Sequence, residues 1–341
     1  MDKPYFAVQW HITDACDQRC IHCYIYSEEN LCFHAAARPE LESTLGEILS
    51  FCEGIGRRPY IYLTGGDPIL HPDFWYLLDL FQRNSVRFCI MGNPFHLDRK
   101  ICREMRAAGC VKYQLSVDGL EKTHDLFRKP GSFRETMEKT ALIRESGIWC
   151  AWMTTVSKLN MHEIPQVIDL AAANHVDVYA IGRYCPTSMQ KAYDPETHMT
   201  PEEYRNFLEA CWEAYERNRN SSTTFQLKDH LWTLFLYEKG IYRLPQDNRS
   251  TGCNCGRNHI TVLPDGDVYA CRRMDSKIGN LKEHSLKELW NSEQLNYYRR
   301  TECMEKCAAC PLKNVCRGCP AVAYGYTHNF YGADPQCWKA V

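Results

Sequence analysis

Short apolar runs alternate with longer amphipathic stretches over the first half of the chain. Six of the short runs predict β-strands, at residues 5–12, 59–64, 86–91, 111–117, 148–156 and 176–181. The stretches between them predict helices, at residues 41–55, 74–81, 97–108, 133–146 and 164–173. This alternation is typical of a parallel sheet with helical crossovers. Six repeats are fewer than the eight of a closed barrel, so we expect an α/β fold, a partial (β/α)6 TIM-like barrel open on one side.

The second half of the chain has a different pattern. Residues 204–217 and 229–239 predict two helices, and we interpret residues 191–250 as a helical bridging region after a barrel at 1–190. From residue 251 to 341 the chain is rich in Cys, Gly and Pro. There, the runs 260–263 and 268–271 flank Pro264-Asp265-Gly266, which predicts a β-hairpin with a glycine-containing turn.

Composition excludes several classes of protein. The net charge is −2 and no long Lys/Arg block occurs, so a nucleic-acid partner is not expected. No apolar run approaches the ~18 residues of a membrane span, so no membrane segment is expected. The N-terminal residues lack the apolar core of a signal peptide. These features together predict a cytoplasmic protein.

Twenty cysteines are the unusual feature of the composition. In a chain of this size in a reducing compartment, clustered cysteines more often bind metal or carry out redox chemistry than form disulfides. Three lie at positions 16, 20 and 23, nine lie between 253 and 337, and the other eight are scattered. We interpret most of the scattered ones as small buried apolar residues.

The first cluster, Cys16-x3-Cys20-x2-Cys23, follows the first predicted strand directly. Three thiolates occupy three corners of a cubane iron–sulfur cluster, and the usual site has a fourth. A three-ligand cluster leaves one iron open to a small molecule. A zinc site or a set of buried thiols is the alternative. The position after a strand favours a functional site, because sites in parallel α/β folds form at that edge of the sheet.

With Tyr24 next to it, this motif resembles the signature of the radical S-adenosylmethionine (SAM) superfamily. The family's Gly-Gly-Glu-Pro motif, which meets the SAM amino group, appears after the second strand with Asp for Glu. It reads Gly65, Gly66, Asp67 and Pro68. Asp keeps the negative charge of Glu, but its side chain is shorter. We therefore expect the contact between this backbone and SAM to be kept more firmly than a contact of the Asp67 side chain.

Further positions resemble SAM contacts of the same family. Asn93 follows the third strand, Ser116 and Asp118 end the fourth, where the family binds the ribose, and Arg128 matches another recurrent position. Each alone is equally consistent with an ordinary polar residue at a strand end. Together, these positions follow the order of the family's motifs over about residues 8–185. A chance occurrence of so many matching positions in the right order is hard to explain.

The C-terminal cysteines include the series Cys307-x2-Cys310-x5-Cys316-x2-Cys319. Alone, its CxxC pairs suit a zinc knuckle. Together with Gly266-x4-Cys271 and Asp334-Pro335-Gln336-Cys337, the series resembles a SPASM domain, which binds two auxiliary [4Fe–4S] clusters. The spacing before Cys319 is one residue shorter than the usual family pattern.

This resemblance implies a specific set of ligands. The outer auxiliary cluster takes Cys307, Cys310, Cys316 and Cys337. The inner cluster takes Cys253, Cys271 and Cys319, with Cys255 as the candidate fourth ligand. If Cys255 does not bind, one inner iron is open to a substrate thiolate, and Cys303 is left over. The implied cofactors are three [4Fe–4S] clusters, one of them SAM-binding, and SAM.

The resemblance also implies an anaerobic radical reaction. An electron from flavodoxin or ferredoxin cleaves SAM to a 5′-deoxyadenosyl radical, which takes hydrogen from an unactivated carbon. The auxiliary clusters suggest that a second electron leaves the substrate, which makes the reaction an oxidation. A non-catalytic iron–sulfur electron carrier would explain the cysteines but not the ordered SAM-contact positions.

The substrate is open between three hypotheses. The first is a ribosomally made precursor peptide, modified at or near a Cys to form a thioether or another crosslink. The second is formylglycine formation in a sulfatase, whose family base is an Asp after the equivalent of Cys271. Here Arg272 takes that place and cannot act as a base at neutral pH. The third is decarboxylation of a porphyrin propionate, since Arg272 and Arg273 can pair with carboxylates.

Few residues on the substrate side can be assigned from the sequence. Arg183, Tyr184 and Cys185 follow the sixth strand, and we expect them to face the barrel cavity. Cys185 is a candidate catalytic hydrogen donor, with a buried structural thiol as the alternative. Arg272 is the other catalytic candidate.

Overall fold

The computed structural model describes residues 3–25, 34–186, 196–246 and 251–340. Its strands are β1 (Tyr5–His11), β2 (Arg58–Thr64), β3 (Arg87–Met91), β4 (Cys110–Ser116), β5 (Trp149–Val156), β6 (Val178–Arg183), β7 (Thr224–Gln226), β8 (His259–Val262), β9 (Asp267–Tyr269) and β10 (Lys277–Asn280). All six strands predicted in the first half occur, with ends within two residues of those expected.

The α-helices alternate with the strands in the first half and are short near the C-terminus. They are α1 (Arg38–Gly54), α2 (Phe74–Arg83), α3 (Arg99–Ala107), α4 (Glu121–Phe127), α5 (Ser132–Glu145), α6 (Ile164–Ala173), α7 (Pro201–Arg217), α8 (Leu231–Glu238), α9 (Leu286–Trp290), α10 (Glu293–Tyr297), α11 (Glu305–Ala308) and α12 (Pro320–Thr327). None of these helices is both long and apolar enough to cross a membrane, in the part of the chain that the structure describes.

One sheet contains all ten strands, in the order β10-β9-β8-β1-β2-β3-β4-β5-β6-β7. From β8 to β7, every neighbouring pair is parallel, which gives eight parallel strands. β9 and β10 continue antiparallel from β8. The partial TIM-like barrel and the hairpin are therefore confirmed, and the C-terminal hairpin is joined to the barrel through β8. The domain limits at 190 and 250 stay predictions.

The outer face of the sheet forms the core. On β1 the side chains of Phe6, Val8 and Trp10 are buried, and they alternate with less buried positions. The Phe6 ring packs on Phe51 of α1, with centroids 5.2 Å apart, and Trp10 lies 6.1 Å from Phe81 of α2. Because side chains alternate between the two faces of a strand, the positions between these residues face the inside of the barrel.

We call the space inside the sheet the lumen. The strand register shows which residues line it side by side. Across β8, β1, β2, β3 and β4, the successive neighbours are Thr261, Gln9, Tyr62, Cys89 and Lys112. At the other edge, Gln226 of β7 lies beside Ala180 of β6. The lumen is therefore lined largely by polar side chains.

A buried ion-pair network joins the barrel to the C-terminal part. Arg183, at the end of β6, is fully buried, and its Nε lies 2.8 Å from Asp229 Oδ2. Its two terminal nitrogens donate to the carboxylate of Asp334, each at 2.8 Å, and Nη1 also donates to Gln336 Oε1 at 2.7 Å. The expectation that Arg183 faces the cavity was wrong, because it shares the outer face of β6 with the core residues Tyr179 and Ile181.

Candidate active site and cluster sites

The loop that carries Cys16, Cys20 and Cys23 lies at the C-terminal edge of β1. It packs on the loop after β2 through two backbone hydrogen bonds, from Gly66 N to Thr13 O at 2.8 Å and from Asp67 N to Ala15 O at 2.7 Å. The structure therefore brings the three-cysteine motif and the Gly-Gly-Asp-Pro motif together. Pro68 begins a short 3-10 helix that ends the second loop.

Both glycines are required by this close approach. A Cβ atom on Gly65 would lie 2.2 Å from Thr13 O, and one on Gly66 would lie 2.2 Å from Ala15 O. Neither contact can be relieved by rotating a side chain, since the obstructing atoms belong to the backbone. The glycines thus hold the two loops in register.

Two of the residues expected to contact SAM donate hydrogen bonds to the cysteine sulfurs. Asn93 Nδ2 lies 3.3 Å from Cys16 Sγ, and Arg128 Nη1 lies 3.6 Å from Cys20 Sγ. Burial raises the pKa of the Cys20 thiol to about 11, and the Arg128 guanidinium opposes that shift. Donors aimed at sulfur favour the thiolate form, which is the form that binds metal.

Asp118 and Arg128 form a buried pair behind the cysteine loop. Arg128 Nε donates to Asp118 Oδ2 at 2.7 Å, and Thr155 N donates to Oδ1 at 2.9 Å. Burial opposes ionisation of Asp118, but Arg128 and then His22 hold its pKa below its usual value. Both oxygens of Asp118 accept hydrogen bonds within the protein, and Ser116 is half-buried. The expected ribose contacts of the two residues stay predictions.

Asp67 is fully buried, and its carboxylate oxygens make no hydrogen bond of good geometry among the described residues, although the backbone N–H groups of Asn93 and Ile69 are close enough to lower its pKa. Burial raises the pKa of Asp67 to about 7, and the nearby charge of Asp17 adds to the shift. Ligand atoms of Asp17, Asp67 and His96 lie within 4.8 Å of one another. An unpaired buried carboxylate beside a second one favours a positively charged group at this place.

Tyr24 connects the cysteine loop to the lumen. Gln9 Nε2 donates to the Tyr24 hydroxyl at 3.3 Å, and the guanidinium carbon of Arg272 lies 5.3 Å from the centre of the Tyr24 ring. The Nε of Arg272 is buried and has no hydrogen-bond partner among the described residues. The structure therefore brings Tyr24 and Arg272 together, from opposite ends of the sequence.

The four cysteines assigned to an inner cluster lie around one space. Burial raises the pKa of Cys253 to about 12, and the neighbouring thiols of Cys319 and Cys271 raise it further. The pKa of Cys255 is raised by burial and then by the thiols of Cys253, Cys271 and Cys319. Arg273 Nη2 donates to Cys319 Sγ at 3.1 Å. Cys255 therefore lies near the other three cysteines, and its role as the fourth ligand stays a prediction.

The cysteines assigned to an outer cluster form a second group. Burial raises the pKa of Cys307 to about 11, with further contributions from Cys337 and Cys310. Burial likewise raises the pKa of Cys316 to about 12, and among the neighbouring thiols that of Cys337 raises it further. Cys303 is exposed and stays outside the assignment.

The spacing of the sulfurs disfavours a single zinc ion at any of these sites. Tetrahedral zinc with Zn–S bonds of about 2.3 Å places its sulfurs about 3.8 Å apart. In the described part of the chain, no three cysteine sulfurs lie within 4.8 Å of one another. Thiols held further apart fit a larger group in which each binds its own metal.

Comparison with known protein families gives two matches. Residues 10–171 match the radical SAM superfamily. Residues 253–311 match the SPASM iron–sulfur cluster-binding domain. The chain is a radical SAM protein with a SPASM domain. Since the second match ends at residue 311, the positions of Cys316, Cys319 and Cys337 rest on the structure and on their spacing.

Similar proteins carry the names of different enzymes. The chain is 28% identical to the AdoMet-dependent heme synthase of Methanosarcina barkeri, over 97% of this chain and 95% of the relative. It is 24% identical to the mycofactocin maturase MftC of Mycolicibacterium smegmatis, over 99% of this chain and 83% of the relative. Both alignments run almost the whole length of this chain.

The fold also matches a solved structure with ligands. The structure of anSMEcpe with bound AdoMet and the Kp18Cys peptide aligns with a TM-score of 0.76 and 17% identity, over 98% of this chain and 94% of that chain. The radical SAM and SPASM domains together identify an enzyme that uses iron–sulfur clusters and SAM.

Cys185 lies against the SPASM domain. Its thiol donates to Ala321 O at 2.8 Å and lies 3.3 Å from Arg273 O. Burial raises the pKa of Cys185, and the thiols of Cys319 and Cys271 contribute to the shift. The side chain is thus close to the inner cysteine group, and its assignment as a hydrogen donor stays a prediction.

Several residues of the site were missed by sequence reasoning. Asp17 and His96 lie beside Asp67, and His22 lies 3.5 Å from Asp118. Lys112 lies on the lumen face of β4, and Lys228 follows β7. Lys112 could have been found, because it shares the two-residue period of Gln114 on that strand. No sequence signal marks the others.

We predict that Asp67→Asn weakens SAM binding about tenfold to a hundredfold. A charged hydrogen bond contributes roughly 1.5–3 kcal/mol, and about 1.4 kcal/mol corresponds to a factor of ten. Equilibrium dialysis of SAM against the iron-loaded protein measures the effect. Asp79→Asn, on the surface of α2, is the matched control and should bind as wild type. Equal affinity of Asp67→Asn and wild type would contradict the assignment.

The same carboxylate predicts a pH dependence. Because the pKa of Asp67 lies at about 7, lowering the pH through that value protonates the group and removes its charge. SAM affinity should therefore fall below about pH 7 and level off above it. Asp67→Asn should lose this dependence between neutral and mildly acidic pH.

Proposed function

We propose that this enzyme oxidatively modifies a ribosomally made peptide, forming a thioether or another crosslink at or near a Cys residue. The observation that carries the proposal is the polar lining of the open lumen. Gln9, Gln114, Gln226 and Thr261 face it, and Tyr62 adds a hydroxyl. A peptide backbone offers a donor and an acceptor at every residue, which this lining can satisfy.

The edges of the parallel sheet leave room for an extended substrate. β7 ends the sheet on one side, and on the other side β8 is paired with β1 and β9. The two edges do not pair with each other, so the barrel is open between them. A linear chain can enter such an opening without any segment of the barrel having to unfold.

The residues present fit the cofactors of the two domains. Cys16, Cys20 and Cys23 would hold the SAM-binding cluster, and the inner and outer cysteine groups would hold two auxiliary clusters, three in all. When bound, the first cluster and SAM supply a radical that can take hydrogen from an unactivated carbon. We propose that the chain positions SAM, with Asp67 near its ammonium group and Ser116 near its ribose.

The number of cysteines in the inner group determines whether a substrate thiolate could bind an inner iron. With Cys255 beside Cys253, Cys271 and Cys319, the protein supplies four thiolates. An inner cluster ligated in this way leaves no iron for a substrate thiolate, so we propose that the peptide is bound by the lumen. Arg273 donates to the Cys319 sulfur and stabilises its charged form.

Decarboxylation of a porphyrin propionate is the second candidate. It is favoured by Arg272, whose guanidinium faces the lumen beside Tyr24, and by the similarity to heme synthases. Against it stands the amide-rich lining, since a tetrapyrrole presents two broad apolar faces.

The described cysteines are all free thiols, in keeping with a reducing cytoplasm, where flavodoxin or ferredoxin would supply the electron.

Incubation with candidate peptides tests the proposal directly. The reduced, iron-loaded enzyme and SAM are mixed without oxygen with each short peptide encoded beside its gene. We expect one peptide to lose two hydrogens, with 5′-deoxyadenosine released in proportion, both followed by mass spectrometry. The same peptide with Cys→Ser should stay unmodified. Loss of carboxyl groups from a porphyrin, with every peptide unchanged, would replace this proposal with the second candidate.

A further inference from the structure

Basic side chains line the lumen. Lys112 lies on the lumen face of β4, and Lys228 follows β7. Arg272 lies near the cysteine loop. We call these three residues the cationic lumen. His11 and His259 are also on barrel strands, but burial lowers the pKa of both, that of His259 to about 4, so neither is charged at neutral pH.

The contacts of the lysines leave their charges available. Lys228 Nζ lies 3.9 Å from the sulfur of Met153, and Lys112 Nζ lies 5.4 Å from the centre of the Tyr62 ring. Both are weak partners for an ammonium group. The surrounding protein atoms lower the pKa of Lys228 to about 8, and the charges of Arg273 and Lys112 lower it further. The side chain of Lys228 is nevertheless exposed to solvent, so a ligand can reach it.

Lys112, Lys228 and Arg272 take part in no ion pair in the described part of the chain. Burial raises the pKa of Asp14 and the nearby charge of Arg272 opposes that shift, but Asp14 pairs with His34 at 3.4 Å. Arg272 Nε is buried without a hydrogen-bond partner among those residues. A buried donor without a partner is costly, and together with the two unpaired lysines it points to a negatively charged ligand.

We propose that the cationic lumen binds a carboxylate of the substrate and so orients the reacting carbon toward the cysteine loop. This inference rests on the proposed function and specifies its substrate. In a peptide the carboxylate is that of an Asp, a Glu or the C-terminus. A porphyrin propionate would offer the same chemistry. Arg272 and Lys228 can hold two carboxylates or one carboxylate and one carbonyl group.

Paired probes that differ only in charge test this inference. One pair is a library of short synthetic peptides with a central Glu and the same library with Gln. The other pair is coproporphyrin III and its tetramethyl ester. Binding of each is measured by equilibrium dialysis against the iron-loaded, SAM-bound enzyme, without turnover. We expect the charged member of one pair to bind at least about tenfold more tightly, as a charge-assisted hydrogen bond predicts.

Lys228→Met should remove most of that preference, since it replaces the ammonium by an apolar group of similar length. Lys122→Met, on the exposed face of α4, is the matched control and should keep it. Thermal unfolding of both variants verifies that they are folded. An equal preference in Lys228→Met and wild type, or no preference for charge in either pair, would overturn the carboxylate site.

The outcomes also separate this inference from the proposed function. A preference for the Glu library supports both. A preference confined to coproporphyrin III supports the carboxylate site and counts against peptide modification. Oxidation of a peptide without any effect of charge supports peptide modification and overturns the carboxylate site.

Discussion

Cys20→Ser is expected to abolish SAM cleavage, with 5′-deoxyadenosine falling to the level of a reaction without enzyme. Cys20 is one of three thiols that follow β1, and its sulfur accepts a hydrogen bond from Arg128 at 3.6 Å. Serine keeps the shape of the side chain but is not a ligand for a cluster of this kind. Release of 5′-deoxyadenosine and total iron are measured together on anaerobic preparations.

Cys303→Ser is the matched control for this variant. Cys303 is exposed and lies outside all three cysteine groups, so its replacement should leave both iron content and SAM cleavage unchanged. Cys20→Ser should lose about one cluster of iron while the auxiliary iron stays. Wild-type release of 5′-deoxyadenosine by Cys20→Ser would contradict the assignment of the first site.

Arg183→Met is expected to destabilise the fold far more than the removal of a surface ion pair. The side chain is fully buried and is the only cation among the described residues that pairs with both Asp229 and Asp334. Its removal leaves two buried carboxylates without a counter-charge, which costs about 3–5 kcal/mol. Because Asp334 also accepts from Cys319 N at 2.7 Å, the loosening should extend to the inner cysteine group.

Two measurements test the expected effect of Arg183→Met. The denaturant midpoint of the iron-loaded enzyme should fall, and iron should be lost from the auxiliary clusters before the SAM-binding one. Arg217→Met is the control, because Arg217 pairs with Asp169 at 2.7 Å on the surface, where such a pair contributes at most about 1 kcal/mol. Equal midpoints of the Arg183 and Arg217 variants would show that the network contributes little.

The barrel could be predicted because each unit carries its own local signal. The apolar strands and amphipathic helices of the first half have the length and period of their structures, and α6 (Ile164–Ala173) has the expected bounds. By contrast, β7 contains three residues, too few for a periodic pattern. The parallel pairing of β8 with β1 joins segments far apart in sequence, and no local pattern encodes such a contact.

The site shows the same division between local and long-range signals. The cysteine motifs are compact, so their spacing indicates metal sites, and the resemblance to the radical SAM and SPASM families implies which clusters they hold. Arg183 was placed in the cavity from its position after a strand, although the two-residue period of β6 assigns it to the outer face. Lys228 follows a strand that was not predicted, and its place in the lumen depends on the whole sheet.

The pairing of β8 with β1 has a consequence for electron transfer. β1 leads into the loop of Cys16, Cys20 and Cys23, and β8 leads through the hairpin to Cys271, while Trp10 and Val262 are paired at the ends of the two strands. The cysteines proposed for the first and inner clusters are therefore attached to strands of one hydrogen-bonded sheet. If both clusters bind as proposed, the pairing of β1, β8 and β9 limits how far the distance for electron transfer between them can change.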